Sequence, residues 1–201
     1  PNNPTGTWLT DNELHEFISS LPAHVMVVVD EAYFEYVVQE HYTDSIPWLD
    51  EFPNLIITRT FSKAYGLAGL RVGYAVSRPE VAELLNRVRQ PFNVNSIAQA
   101  AAAAALDDEA HLQKSVQNNL EGLQQLAAGF ERLGLEYIES VGNFIAVDTG
   151  QRAEPVYHHL LQTGVIVRPI AAYGLPNHLR VSVGLPEENV RLLAALKKTL
   201  A

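Results

Sequence analysis

Three apolar runs in the first eighty residues, Val25 to Val29, Leu55 to Thr58 and Val72 to Val76, are rich in β-branched side chains and nearly free of polar ones. Runs of this kind are expected of strands buried on both faces of a parallel sheet. Around them the apolar spacing switches to a helical period. Thr10 and Glu13 stand at capping-box spacing ahead of a short helix ending near Leu21. Pro79 opens a helix to about Arg89, and Pro91 stops it. Ser96 and Gln99 repeat the capping-box spacing before an alanine-rich helix, Ile97 to Leu106. A long amphipathic helix follows, from about Glu109 to Leu133, ending near Gly134 and long enough to connect two subdomains.

Beyond residue 135 the pattern changes. Phe144 to Val147, Val165 to Arg168 and Leu179 to Val183 read as strands. Pro155 to Thr163 and Glu187 to Leu200 read as helices, the last with lysines in its final turn. The order predicts an α/β chain with a mostly parallel sheet over residues 1–134 and a small α+β domain over 135–201.

The 201 residues are 47% hydrophobic and 18% charged, the balance of an ordinary globular protein. A net charge of -9 argues against nucleic acid as the main partner, because a phosphate backbone requires clustered cations. No apolar run approaches the roughly 18 residues of a membrane-spanning helix. The absence of cysteine excludes disulfides and thiolate metal sites. The seven histidines are scattered, and the adjacent His158 and His159 point in different directions on a helix, so no metal is assigned. The chain begins with Pro1 and a motif at once, which reads as the C-terminal portion of a longer polypeptide.

Chemistry-bearing residues cluster where the predicted strands end. Thr60 to Gly73, TFSKAYGLAGLRVG, sets Lys63 between two hydroxyls and places Arg71 eight positions on. An amine beside hydroxyls and a guanidinium suits a phosphate-bearing aldehyde. DEAY, Asp30 to Tyr33, puts a carboxylate and a phenol just past the first strand. NPTG, Asn3 to Gly6, presents an amide from a tight turn, and LRVSVG places Arg180 at the start of a strand. In open α/β sheets, ligands bind outside the carboxyl ends of strands.

Taken in order, PNNPTG, VVVDEAY, RTFSKAYGLAGLRVGY, RQPFNVNS, GNFIAV, GVIVRP and LRVSVG run nearly the whole chain, with 27 residues from Asn3 to Asp30 and 33 from Asp30 to Lys63. This series resembles the fold-type I pyridoxal-phosphate-dependent aminotransferases, and among them the histidinol-phosphate aminotransferases. The resemblance implies pyridoxal 5'-phosphate as cofactor, held covalently by Lys63, whose amine then moves protons. It implies that Asp30 pairs with the pyridine nitrogen, that Asn3 and Tyr33 hydrogen-bond the phenolic oxygen, and that Thr60, Ser62 and Arg71 hold the phosphate. Arg180 would receive the substrate carboxylate, and Arg168 is the candidate second cation for a phosphorylated substrate. A cytoplasmic homodimer exchanging an amino group between histidinol phosphate and 2-oxoglutarate is the implied whole. In that family, upstream segments supply a stacking aromatic residue, further phosphate donors and a tyrosine reaching across the dimer. None of these can be located here, so a protein limited to these residues is expected to transaminate poorly or not at all. An aromatic aminotransferase, a threonine-phosphate decarboxylase, and the aminotransferase-like ligand-binding domain of a transcription regulator remain alternatives.

Overall fold

A computed structural model of the chain describes residues 1–200. The chain divides into two compact units, Leu9–Ser115 on one side and Pro1–Trp8 with the chain from Val116 onward on the other. The division falls within the long connecting helix and not after residue 134, because the two halves of that helix serve different units. The opening PNNPTG turn also belongs to the second unit. The Gly6 carbonyl accepts a hydrogen bond from the Val141 amide at 3.1 Å. Gly6 lies at φ 79, and a Cβ there would fall 1.9 Å from Ser140 Oγ, so only glycine permits this approach.

In the unit Leu9–Ser115, helix α1 (Asp11–Ser19) starts at the expected capping box. Thr10 Oγ1 accepts from the Glu13 amide at 3.3 Å, and Glu13 Oε2 accepts from the Thr10 amide at 2.8 Å. Strands β1 (Val27–Asp30), β2 (Leu55–Thr60) and β3 (Gly73–Ser77) form one sheet in the order β1-β2-β3. β1 and β2 are parallel, with Val27 opposite Leu55 and Asp30 opposite Thr58. β3 runs antiparallel to β2, which makes the sheet mixed where a mostly parallel one was expected. The lysine-bearing loop is the reason: it folds straight back, and the Phe61 amide donates to the Val72 carbonyl at 3.2 Å, prolonging the hairpin ladder with no crossover helix.

Burial on both faces of β1 is not observed either. Val27, Leu55 and Ile57 pack with Ile18 of α1, whereas Val28 on the opposite face is 59% exposed. Helix α2 (Pro79–Val88) follows, then α3 (Ser96–Leu106). The cap of α3 is Asn95 and not Ser96: Asn95 Oδ1 accepts from the Ala98 amide at 2.8 Å, while the Gln99 side chain turns back to the Val94 carbonyl. Ala98 and Ala102 of α3 pack with Phe61 and Val72, which wedges the lysine loop against a helix.

In the other unit, α4 (Glu109–Arg132) delivers its C-terminal half to a four-stranded antiparallel sheet. The strands are β4 (Tyr137–Ile138), β5 (Phe144–Asp148), β6 (Arg168–Ile170) and β7 (Leu175–Ser182), in the order β4-β5-β7-β6. Helices α5 (Ala153–Gln162) and α6 (Pro186–Leu200) complete the unit. Its core joins Leu126 and Phe130 of α4 to Val147, Leu160, Leu179 and Leu196. β6 begins at Arg168, where the expected strand ended, because residues 164 and 165 close α5: Val165 donates to the Leu160 carbonyl behind Gly164 at φ 76. No described helix is long and apolar enough to cross a membrane.

Candidate active site

Strand alternation sorts the carboxyl ends of β1 and β2 into two faces. Asp30, Thr58 and Thr60 share the face that also bears the exposed Val28. Asp30 is exposed and forms no ion pair among the described residues; its Oδ1 accepts only from the Ala32 amide at 3.2 Å. Tyr33 is 5% exposed, and its ring lies under the Lys63 amine, with Nζ 5.3 Å from the ring centroid. Lys63 is half-buried and likewise forms no ion pair among the described residues.

The hydroxyls and the guanidinium predicted as an anion cradle are brought together. The Ser62 amide donates to Thr60 Oγ1 at 3.1 Å, which curls the chain immediately before Lys63. Arg71 Nη1 reaches Ser62 Oγ at 3.4 Å and the Ala68 carbonyl at 2.9 Å. Arg71 holds φ 54, a left-handed conformation that costs a non-glycine residue roughly 1–3 kcal/mol. Local strain of this kind is retained where it aims a side chain, here a solvent-exposed guanidinium directed at the Ser62 hydroxyl. Gly73 closes the loop: a Cβ there would sit 2.7 Å from the Arg59 carbonyl, so β3 could not pair at this distance with any other residue.

The covered side of the same strand ends carries charge as well. Glu31 is 2% exposed, and its Oε2 accepts from Arg59 Nε at 2.9 Å and Nη2 at 2.7 Å. Burial acts to lower the Arg59 pKa, but the hydrogen bond and charge of Glu31, together with Asp44, outweigh it and raise it. Nearby, burial pushes the Glu35 carboxyl above its usual range, and burial followed by the Glu35 charge raises the Tyr65 phenol.

The second unit gathers the other candidates. Arg168 and Arg180 are directly opposed across the β6–β7 ladder, which places both guanidinium groups on one face. Neither forms an ion pair among the described residues. Like charges in that position repel unless an anion lies between them. Arg180 Nη1 donates to Asn3 Oδ1 at 2.6 Å, and its Cζ lies 5.1 Å from the Phe144 ring centroid. Its buried Nε has no hydrogen-bond partner.

The family model described as "Aminotransferase class I and II" matches residues 1–196. The chain belongs to this family. It is 60% identical over 201 residues to "Histidinol-phosphate aminotransferase 2" of Pseudomonas fluorescens strain Pf-5, covering all of this chain and 54% of that protein. It is 58% identical over 200 residues to "Histidinol-phosphate aminotransferase 1" of Nitrosococcus oceani, again covering 54% of it. The crystal structure of histidinol-phosphate aminotransferase from Sinorhizobium meliloti in complex with pyridoxal-5'-phosphate superposes with a TM-score of 0.93 at 34% identity, over 100% of this chain and 55% of that one. The chain thus spans about half the length of the curated relatives it matches.

Sequence reasoning did not single out three side chains that neighbour the candidates. Phe144 lies beside Arg180, and Glu31 pairs with Arg59. The signal for Arg59 was present in β2, where Leu55, Ile57 and Arg59 alternate and the third member of a buried series is a cation.

Proposed function

We propose that the whole protein is a pyridoxal-5'-phosphate-dependent aminotransferase that moves the amino group of histidinol phosphate to 2-oxoglutarate. The observation that carries this reading is the loop that follows β2, in which Lys63 comes directly after the linked Thr60 and Ser62, Arg71 returns to the Ser62 hydroxyl, and the lysine amine lies over the Tyr33 ring. The donor set fits the cofactor: a dianion cradle, a nucleophilic amine, and an exposed carboxylate at the neighbouring strand end. When bound, pyridoxal phosphate supplies an electrophilic carbonyl carbon and a ring that accepts electrons.

This chain's residues do the rest. Arg71, Ser62 and Thr60 take the phosphate by charge-assisted hydrogen bonds. Lys63 would hold the cofactor through its amine, and the same amine would move a proton at the substrate Cα. Asp30 holds a proton on the pyridine nitrogen, because a nearby carboxylate favours the cationic form. Tyr33 and Asn3 donate to the phenolic oxygen; the Asn3 carbonyl oxygen is engaged by Arg180, so its amide hydrogens remain to donate. Arg180 binds the α-carboxylate of glutamate, and Arg168 opposite it is the second cation that lets the same anion hole take the phosphate of histidinol phosphate, which stands where an amino acid has its carboxylate. The similarity to histidinol-phosphate aminotransferases supports that substrate over a purely aromatic one. The same reading makes the whole protein a cytoplasmic homodimer whose partners are an amino donor and a 2-oxo acid, and leaves the present 201 residues poorly active by themselves.

The test is covalent. Purified chain mixed with pyridoxal phosphate and reduced with borohydride should carry the label on Lys63, and Lys63→Ala should abolish labelling while leaving the thermal unfolding midpoint unchanged. Label on any other residue would overturn the assignment. In protein extended to the length of its relatives, faster turnover of phenylalanine than of histidinol phosphate would reject the substrate.

A further inference from the structure

Asp30 and Thr60, both proposed to meet the cofactor, stand on one face of the β1 and β2 ends, and an ion pair stands on the other. Glu31 follows Asp30 directly and precedes Tyr33 by two positions; Arg59 precedes Thr60 and lies four positions before Lys63. The two strands separate at this point. The last backbone bond between them runs from the Glu31 amide to the Thr58 carbonyl, at 2.9 Å. Past it, the Glu31 and Arg59 side chains join the DEAY segment to the end of β2.

That junction is densely made. The Arg59 fork closes on Glu31 Oε2 with both Nε and Nη2, Nη2 also reaches Asp44 Oδ1 at 2.6 Å, and the guanidinium carbon lies 3.8 Å from the centre of the Phe34 ring. Glu31 Oε1 accepts in turn from the Ser45 amide at 3.1 Å. The Arg59 side chain is 9% exposed and that of Glu31 2%. Apolar residues of similar volume would serve stability at this place equally well, since desolvation consumes most of what a buried pair gains. A bidentate pair adds what apolar packing lacks, a fixed direction.

We propose that Arg59 and Glu31 are positioning residues: their buried ion pair sets the distance and orientation between Asp30 and Lys63 across the divergent strand ends. The proposal rests on the reading of Lys63 and Asp30 as cofactor-binding groups. It implies that the pair is needed for placing the cofactor and not for folding.

The experiment compares the parent chain, the double variant Glu31→Leu with Arg59→Met, and Arg59→Lys. The double variant leaves neither charge of the pair unmatched; the lysine variant keeps the charge and loses the fork. Three quantities are read: the thermal midpoint, the yield of borohydride-trapped pyridoxal phosphate on Lys63, and the pH midpoint of the absorbance band of bound pyridoxal phosphate. The double variant should unfold within a few degrees of the parent, yet trap about 10- to 100-fold less cofactor, the range expected when a reacting group is misplaced by about 1 Å. Its absorbance midpoint should shift, which a merely structural role would not produce. Arg59→Lys should fall between the two. Parent-like trapping and midpoint in the folded double variant would overturn the proposal. If the double variant fails to fold, Arg59→Lys decides: a parent-like pH midpoint rejects the proposal, and a shifted one supports it. A parent chain that takes no label on Lys63 would reject the cofactor reading itself, and this inference with it.

Discussion

β5 and β1 look alike as sequence and behave differently in the fold. Phe144 to Val147 of β5 are each no more than 2% exposed, and Ile145 and Val147 pack with the helices of their own unit. In β1, Val27 is 8% exposed and its neighbour Val28 59%. In β5 successive residues on both faces are buried, whereas the sheet of the first unit leaves Val28 exposed on one face, and that face carries Asp30, Thr58 and Thr60. The lesson concerns the division of labour. One sheet holds Arg168 and Arg180 opposed across a ladder, and the other leaves the polar ends of its strands on an open face.

The comparison can be broken first by core truncation. Phe130→Ala removes a fully buried ring from the second unit and should cost about 3–5 kcal/mol. Val28→Thr, which keeps the β-branch on the open face, should change stability by no more than about 0.5 kcal/mol. Urea denaturation measures both, and comparable losses would mean that the open face of β1 is packed in solution.

A smaller effect is expected at Gly6. Gly6→Ala puts a Cβ onto Ser140 at positive φ and should cost about 1–3 kcal/mol. It should also displace the turn that presents Asn3 to Arg180, visible as a changed Asn3 side-chain amide resonance. An unchanged amide signal would show that the turn is not what holds Asn3.

The smallest effect is a pH dependence confined to the first unit. Burial raises the Glu35 pKa, and Glu35 Oε2 is enclosed with no hydrogen-bond partner. The folded state therefore holds that proton more tightly than the unfolded chain. The resulting stabilisation is present below the ordinary glutamate value and is lost as pH rises through the raised one. Glu35→Gln should match the parent in acid and exceed its thermal midpoint near neutrality. A variant less stable than the parent near neutrality would show that the Glu35 charge is productively paired with Arg59.

How much of this was legible follows from how local each feature is. The capping box at Thr10 and Glu13 could be read directly, because a cap is satisfied within one turn. At α3 the same signature misled, since Asn95, one residue earlier, offered the acceptor that engages Ala98. The direction of β3 was not legible, because it depends on how the loop from Phe61 to Val72 folds back, and an apolar run reads identically in both directions. The pairing of Glu31 with Arg59 joins residues 28 positions apart, and only the alternation in β2 hinted at it.

The sequence by itself determined the chemical inventory and its order: an amine flanked by hydroxyls, a carboxylate and a phenol three positions apart, and the arginines of VIVRP and LRVSVG. Identity and spacing are covalent facts, and these groups lie close to the strand ends that display them. Tertiary structure alone decided which groups meet. It set Arg71 against Ser62, Arg180 against Asn3, and Arg168 opposite Arg180. It also decided which face of β1 is covered and where a buried charge finds its partner. Those outcomes depend on strand register and on what else competes for the same surface, and a linear pattern records neither.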